Sequence, residues 1–135
     1  MVEQDKKVVQ LLRENVDLLD GDEVCEIVQA DALGPMALSR APRPCHIVHF
    51  DPPYPLMKDP KSRGRVVAQF ARAIDLLDPT GFAVIRTPCP FVDFVERGGG
   101  ESERVSVDMT LENAEGPETH EYGTTAVHLY MKKQD

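Results

Sequence analysis

The sequence has little of what would mark a secreted, disulfide-rich or membrane protein. Its 135 residues include no tryptophan, only 6% aromatic residues and three cysteines. An odd number of widely spaced cysteines in apolar surroundings fits reduced, partly buried thiols better than a disulfide framework. No apolar run approaches the roughly 20 residues that cross a bilayer, and the N-terminus has neither a secretory nor a transit-peptide profile. We therefore predict a cytoplasmic protein with no membrane partner, folded as one domain over residues 1–135.

Positive charge is also scarce. The chain carries 15 Lys and Arg residues against 23 Asp and Glu residues, a formal net charge of -8. This balance is unusual for a protein that contacts nucleic acid, because phosphate binding depends on clustered Lys and Arg. One basic cluster stands out, at Lys58, Lys61, Arg63 and Arg65. The cluster is either a substrate-binding surface or the solvated start of a helix.

The spacing of apolar residues predicts alternating helices and strands. A helical stripe over residues 6–19, with Asp5 as its N-cap, precedes a short strand over 24–30. One or two helical turns are expected within 31–44. The apolar run 45–50 is typical of a central parallel strand covered on both faces. A helix spanning Val66 to Leu77 and a strand over 82–85 then complete a βαβ unit.

The last third of the chain changes character. Residues 105–111 alternate apolar and polar side chains, which predicts a strand with one polar face. A second strand is predicted over 123–131, so the two should form an antiparallel ribbon joined by the polar segment 113–122. Residues 97–103, with Gly98, Gly99 and Gly100, are interpreted as a flexible connector.

The residues expected to carry chemistry follow the 45–50 strand directly: Asp51, Pro52, Pro53 and Tyr54. Ligands of open α/β sheets bind at the carboxyl ends of parallel strands. Two prolines stiffen the backbone and remove two N–H donors, so that Asp51 and the Pro52 carbonyl can accept hydrogen bonds from an amine. Tyr54 can stack on an extruded base. The alternative is a strand-ending turn in which Asp51 is a local cap.

With this motif the chain resembles the amino-methyltransferases whose fourth motif reads Asp/Asn-Pro-Pro-Tyr/Phe, and most closely the RsmD-type 16S ribosomal RNA guanine-N2 methyltransferases. The resemblance rests on residues 2–5, 12–15, 30–33, 49–54 and 122–127. It implies an α/β fold: a Rossmann-like class I methyltransferase sheet, mostly parallel, with a C-terminal antiparallel β-ribbon. It also implies methyl transfer from S-adenosylmethionine to the exocyclic N2 amine of a guanine in small-subunit ribosomal RNA.

The same resemblance assigns roles to further residues. Glu3 matches the acidic residue that holds the ribose of the methyl donor, and Asp31, with Ala32 beside it, matches the position near the adenine amine. Glu3 could equally be a charge at a helix start, and Asp31 the N-cap of a short helix. Tyr54, Lys58 and Arg63 are the expected substrate-binding residues. Cys45, His46 and His49 lack a fourth ligand at a usual spacing, so no metal site is predicted.

The sequence departs from the family at its start. It has no counterpart of the basic RNA-contacting segment, or of the first strand and the acidic, Gly-rich turn that receives the methionine part of the donor. The 45–50 strand should then expose an unpaired edge, which predicts a homodimer or an altered strand order. Two alternative functions stay open, an inactive remnant that acts as a binding or assembly module and a DNA adenine-type amino-methyltransferase.

Overall fold

The computed structural model describes residues 1–98 and 101–134. The chain divides into two compact units, Met1–Ala41 and Pro42–Asp135, which are described separately below. Whether they form the single domain expected over 1–135 stays a prediction. No helix within the described part of the chain is long and apolar enough to span a membrane.

The first unit pairs two short parallel strands beside a helix. Strand β1 (Val2–Glu3) pairs with β2 (Val28–Gln29), and α1 (Lys6–Leu18) and α2 (Pro35–Ser39) complete the unit. Asp5 caps α1 as predicted, accepting hydrogen bonds from the amides of Lys7 and Val8. The strand predicted over 24–30 is much shorter, because the chain from Gly21 to Cys25 is held in a turn and leaves Val24 86% exposed.

The second unit contains the predicted βαβ arrangement. Strand β3 (Cys45–Phe50) runs parallel to β4 (Leu77–Pro88), and the crossover contains α3 (Tyr54–Lys58) and α4 (Pro60–Ile74). Helix α4 buries Val66, Phe70 and Ile74 completely. Phe70 meets Phe50 and Tyr130 edge to face, with ring centroids 5.3 and 5.4 Å apart. This aromatic cluster fixes the helix against one face of the sheet.

The C-terminal ribbon is present, but one of its strands was wrongly predicted. Strand β8 (Thr125–Lys132) pairs antiparallel with β4 and also with β7 (Ala114–Tyr122), which lies in the segment predicted as a polar loop. Strand β7 looks like a loop in sequence because it is the outer strand of the sheet, where polar side chains, a proline and a bulge are tolerated. Gly123, with a φ of +60°, makes the tight turn between the two strands.

The alternation of apolar and polar residues over 105–111 does not come from one continuous strand. Strand β6 (Glu101–Ser106) ends at the second residue of this stretch, and further on the Asp108 carboxylate accepts hydrogen bonds from the amide and hydroxyl of Thr110 in a turn. Met109 and Leu111 are buried from this turn rather than from a strand. The connector predicted over 97–103 is also wrong in its described part, since β5 (Val92–Arg97) and β6 form a hairpin. Gly99 and Gly100 lie outside the described residues.

Strand β3 is an edge strand rather than a central one. The order of its sheet is β3-β4-β8-β7, and within residues 1–98 and 101–134 no strand pairs with the second edge of β3. Ile47 is 72% exposed, so the expectation of a strand covered on both faces is wrong. The unpaired edge itself was expected, whereas the homodimer inferred from it stays a prediction.

Candidate functional site

The Asp51–Tyr54 loop lies at the carboxyl end of β3, as predicted. Pro53 is the N-cap of α3, and its carbonyl accepts a hydrogen bond from the Leu56 amide at 2.9 Å. The Pro52 carbonyl, by contrast, receives no hydrogen bond from any residue in 1–98 or 101–134. The loop thus offers one acceptor that is satisfied by the helix and one that is free.

Asp51 faces a cation at the end of the neighbouring strand. Its Oδ1 lies 3.3 Å from Nε of Arg86, and the two side chains are 45% and 41% exposed. The Arg86 Nε is itself buried and makes no hydrogen bond within the described part of the chain, so its contact with Asp51 is a charge pair without an aligned N–H. The Asp51 carboxylate therefore accepts no hydrogen bond from the described residues and keeps both oxygens available to a ligand.

Tyr54 is half-buried, and a residue of β8 holds it. Its hydroxyl hydrogen-bonds with the Oγ1 of Thr125, the first residue of β8. Thr125 pairs with Pro88 at the end of β4, so three elements converge at one edge of the sheet. The fixed hydroxyl leaves the ring orientation defined, which is what a stacking surface for a base needs.

The two predicted basic substrate residues have different surroundings. Lys58 is exposed in the last turn of α3. The Arg63 guanidinium forms a bidentate ion pair with Asp93, at 3.0 and 2.5 Å, and Nη1 also donates to the Met57 carbonyl. The Arg63 side chain is only 11% exposed. Because its donors are largely used inside the protein, a direct role in substrate binding stays a hypothesis.

The predicted donor-binding residues lie in the first unit, at one edge of its sheet. Glu3 ends β1, and its Oε1 accepts a hydrogen bond from the Asp5 amide at 2.7 Å. Asp31 follows β2, and its Oδ1 accepts from the Leu33 amide at 2.9 Å in a turn that exposes Ala32. Each carboxylate therefore supports the local backbone with one oxygen, and each keeps a second oxygen that a hydroxyl or an amine could use.

The histidines and cysteines show no metal centre in the described part of the chain, where no three His, Cys, Asp or Glu side chains are grouped to hold an ion. His46 and His49 are exposed on β3. The cysteines are free, and Cys45 and Cys89 are partly buried as expected, whereas Cys25 is exposed. Burial raises the pKa of Cys89, with a smaller contribution from Glu121, and this disfavours a reactive thiolate.

Sequence reasoning missed Arg86, Thr125 and Asp93. Arg86 had a readable signal, since it is the one charge next to an apolar strand that should run parallel to β3 and end at the same edge. Thr125 and Asp93 had none, because their roles depend on which strand pairs with β4 and on the β5–β6 hairpin.

The parallel βαβ unit, the acidic proline-rich loop at its carboxyl edge and the antiparallel ribbon define a methyltransferase-type α/β fold. Solved structures with this fold match 98–99% of the chain. HI0767 of Haemophilus influenzae, named as a methylase, has 18% identity and a TM-score of 0.66, with 71% of its chain covered. The Escherichia coli protein yhhF, named as a methyltransferase, has 19% identity, a TM-score of 0.67 and 63% coverage. An rRNA methylase from Streptococcus thermophilus has 14% identity, a TM-score of 0.52 and 74% coverage.

The sequence itself identifies the family. Residues 1–89 match the family described as Conserved hypothetical protein 95. The chain therefore belongs to this RsmD-like family of methyltransferases, as the resemblance over several stretches of the sequence predicted. No curated protein sequence matches the chain.

Proposed function

We propose that the protein transfers a methyl group from S-adenosylmethionine to the exocyclic N2 amine of a guanine in small-subunit ribosomal RNA. The observation that carries this proposal is a pair of acceptors just before Tyr54, the Asp51 carboxylate and the Pro52 carbonyl, which accept no hydrogen bond from the described residues. An exocyclic amine brings two N–H donors and a planar ring. The loop offers two acceptors for the two N–H groups and the Tyr54 ring for the planar base.

These residues act on the amine in a defined way. The nitrogen lone pair of the amine is delocalised into the ring, so it is a poor nucleophile until its two protons are held out of the ring plane. Asp51 accepts one N–H and the Pro52 carbonyl the other, which favours a pyramidal nitrogen. Arg86, 3.3 Å from Asp51 Oδ1, holds the carboxylate in place, and Tyr54 packs on the ring of the base.

The first unit suits the methyl donor. Glu3 and Asp31 each retain one oxygen with no hydrogen-bond partner in the described residues, and carboxylates readily accept ribose hydroxyls or an adenine amine. These two residues, with Ala32, would hold S-adenosylmethionine. When bound, that cofactor supplies an electrophilic methyl group, and the protein supplies position and orientation.

The choice of RNA rests on the family and on the charges near the loop. Lys58, Lys61 and Arg65 are exposed directly after the loop, where phosphates flanking a target base would lie. The similar Streptococcus thermophilus structure is an rRNA methylase by name. Together these favour ribosomal RNA, or the small ribosomal subunit, as the partner.

A methyl-transfer assay on three substrates tests the proposal. The full chain is incubated with labelled S-adenosylmethionine and naked 16S RNA, assembled small subunits or DNA, with Asp51→Asn as the background control. We expect N2-methylguanine in an RNA arm that the variant does not produce. Label only in DNA adenine would favour the DNA alternative, and no label in any arm would favour the non-enzymatic binding module.

Strand β3 also carries the predicted self-association. Among the described residues no strand pairs with its outer edge, and Ile47 on β3 is 72% exposed, so a second copy of the chain could add its own β3 there. We expect a dimer by light scattering that Ile47→Lys weakens. A strictly monomeric chain at all concentrations would exclude it.

A further inference from the structure

An open pocket of about 840 Å³ lies in the second unit, and Lys58 of α3, the helix that begins at Tyr54, lines it. One wall holds Lys58 and Pro60, which belong to α3 and α4, and another holds Pro88 at the end of β4. The third wall is the start of the β5–β6 hairpin, residues 91–96. Two of these walls connect to the candidate reaction site: Tyr54 begins α3, which also carries Lys58, and the Tyr54 hydroxyl is hydrogen-bonded to Thr125, the register partner of Pro88.

The hairpin wall is anchored by buried charge. Arg63 pairs with Asp93 through two hydrogen bonds, and its guanidinium also lies 5.4 Å from the centre of the Phe91 ring. Bidentate Arg–carboxylate pairs are geometrically specific, and stacking on an aromatic ring restricts the guanidinium further. The base of the hairpin is therefore held in place, although neither of its strands joins the four-stranded sheet.

Beyond this anchor the hairpin presents an aromatic ring to solvent. Phe94 is 72% exposed, and Arg104 is its direct partner on β6. Directly paired residues and residues two apart on one strand share a face, so Arg104 and Glu96 flank the Phe94 ring. No ion pair to Arg104 occurs among residues 1–98 and 101–134, whereas its neighbour Glu103 is paired with Arg97.

This combination matches the parts of an unpaired nucleotide. An exposed ring stacks on any base, a carboxylate accepts hydrogen bonds from base N–H groups, and Arg104 with Lys58 can contact phosphates. A volume of about 840 Å³ falls within the range of small-ligand sites and accommodates a nucleotide. A hydrophobic peptide would pack on the Phe94 ring but would leave the charges of Glu96 and Arg104 beside it without partners.

We propose that this pocket binds an unpaired nucleotide next to the methylated base, with Phe94 as its stacking residue and Arg63 as the positioning residue of the hairpin. This inference rests on the proposed function and narrows the class of RNA substrate. The substrate would be RNA with at least two unpaired nucleotides at the target, a loop or a single strand, rather than a continuous duplex.

The absence of tryptophan from the chain allows a direct test. Phe94→Trp places a single indole in the pocket wall, and Phe82→Trp, further from the pocket along β4, is the matched control on a 44% exposed phenylalanine. Single-stranded RNA should quench the emission of the Phe94→Trp variant and leave that of the control unchanged, while duplex RNA should quench neither. In the wild-type background, Phe94→Ala should weaken single-stranded RNA binding roughly tenfold.

The outcomes separate this inference from the proposed function. Quenching of the Phe94→Trp variant by single-stranded RNA supports the pocket even if no methyl transfer is detected, in which case the proposed function alone fails. Methyl transfer to RNA without quenching, or with a KM unaffected by Phe94→Ala, overturns the pocket and leaves the proposed function intact. Emission that changes with protein concentration in the absence of RNA would assign the surface to self-association and overturn the proposal.

Discussion

Two Arg–Asp pairs in the second unit differ in their hydrogen bonding and in their exposure to solvent. Arg63 and Asp93 form two aligned hydrogen bonds, and the arginine is 11% exposed. Arg86 and Asp51 touch at 3.3 Å without an aligned hydrogen bond, and their side chains are 41% and 45% exposed. The first pair is satisfied, whereas the second retains hydrogen-bonding capacity that a ligand can use.

The contrast indicates separate roles. A satisfied and mostly buried pair stabilises the base of the hairpin, and losing one partner leaves a desolvated charge. A loose, exposed pair contributes little to stability, so its position at the tip of β3 is better explained by binding. Substitutions in the Arg63–Asp93 pair should therefore lower the stability, whereas substitutions in the Arg86–Asp51 pair should lower the methyl-transfer rate.

The largest expected effect is on methyl transfer by Asp51→Asn. The amide keeps the shape of the carboxylate but loses its charge and one acceptor, so the rate should fall by about a hundredfold or more. The thermal midpoint should barely change. Comparable rates for the variant and the wild type would remove Asp51 from the chemistry.

Substitution of Arg63 should have the largest effect on stability. Arg63→Met leaves the Asp93 carboxylate without its partner and should lower the free energy of unfolding by about 2 kcal/mol, less than for a fully buried pair because Asp93 is partly exposed. Urea unfolding measures this change. Arg65→Met, an exposed arginine of the same helix, is the control and should be nearly neutral.

Arg86→Met should act mainly on activity and more weakly than Asp51→Asn. Removing the cation costs at most about 1 kcal/mol of stability at an exposed pair. The Asp51 carboxylate loses its orientation, and the transfer rate should fall roughly tenfold. A large drop in the unfolding midpoint with unchanged kcat would instead make this pair structural, like Arg63 and Asp93.

The smallest effect concerns pH and a buried histidine far from either pair in sequence. His128 hydrogen-bonds through its two ring nitrogens to Thr87 and Thr119, and burial lowers its pKa below the ordinary value of 6.5. The folded state thus favours the neutral ring. Its contribution is complete above pH 6.5 and is lost as pH falls toward the folded pKa. Urea unfolding at a series of pH values on either side of the ordinary pKa should show this slope in the wild type and lose it in His128→Gln.

Local sequence patterns were sufficient for the elements with strong periodicity. The first helix with its Asp5 cap, the β3 strand and its Asp-Pro-Pro-Tyr loop all follow from spacing and turn chemistry. Strand β7 and the β5–β6 hairpin do not, because edge and solvent-exposed strands carry polar residues and lack alternation. The partner of Arg63 was inaccessible because it lies on the β5–β6 hairpin. Arg86 had a readable signal, but its contact with Asp51 depends on the register of β3 and β4.

Binding of the target amine can be tested without catalysis, by the ¹⁵N signal of the Arg86 Nε–H. Guanosine monophosphate carries the exocyclic amine, and inosine monophosphate is the same nucleotide without it. If Asp51 holds the amine, the guanosine nucleotide shifts the Arg86 signal, the inosine nucleotide does not, and Asp51→Asn abolishes the difference. Equal shifts with both nucleotides, or none with either, would contradict amine recognition at this loop.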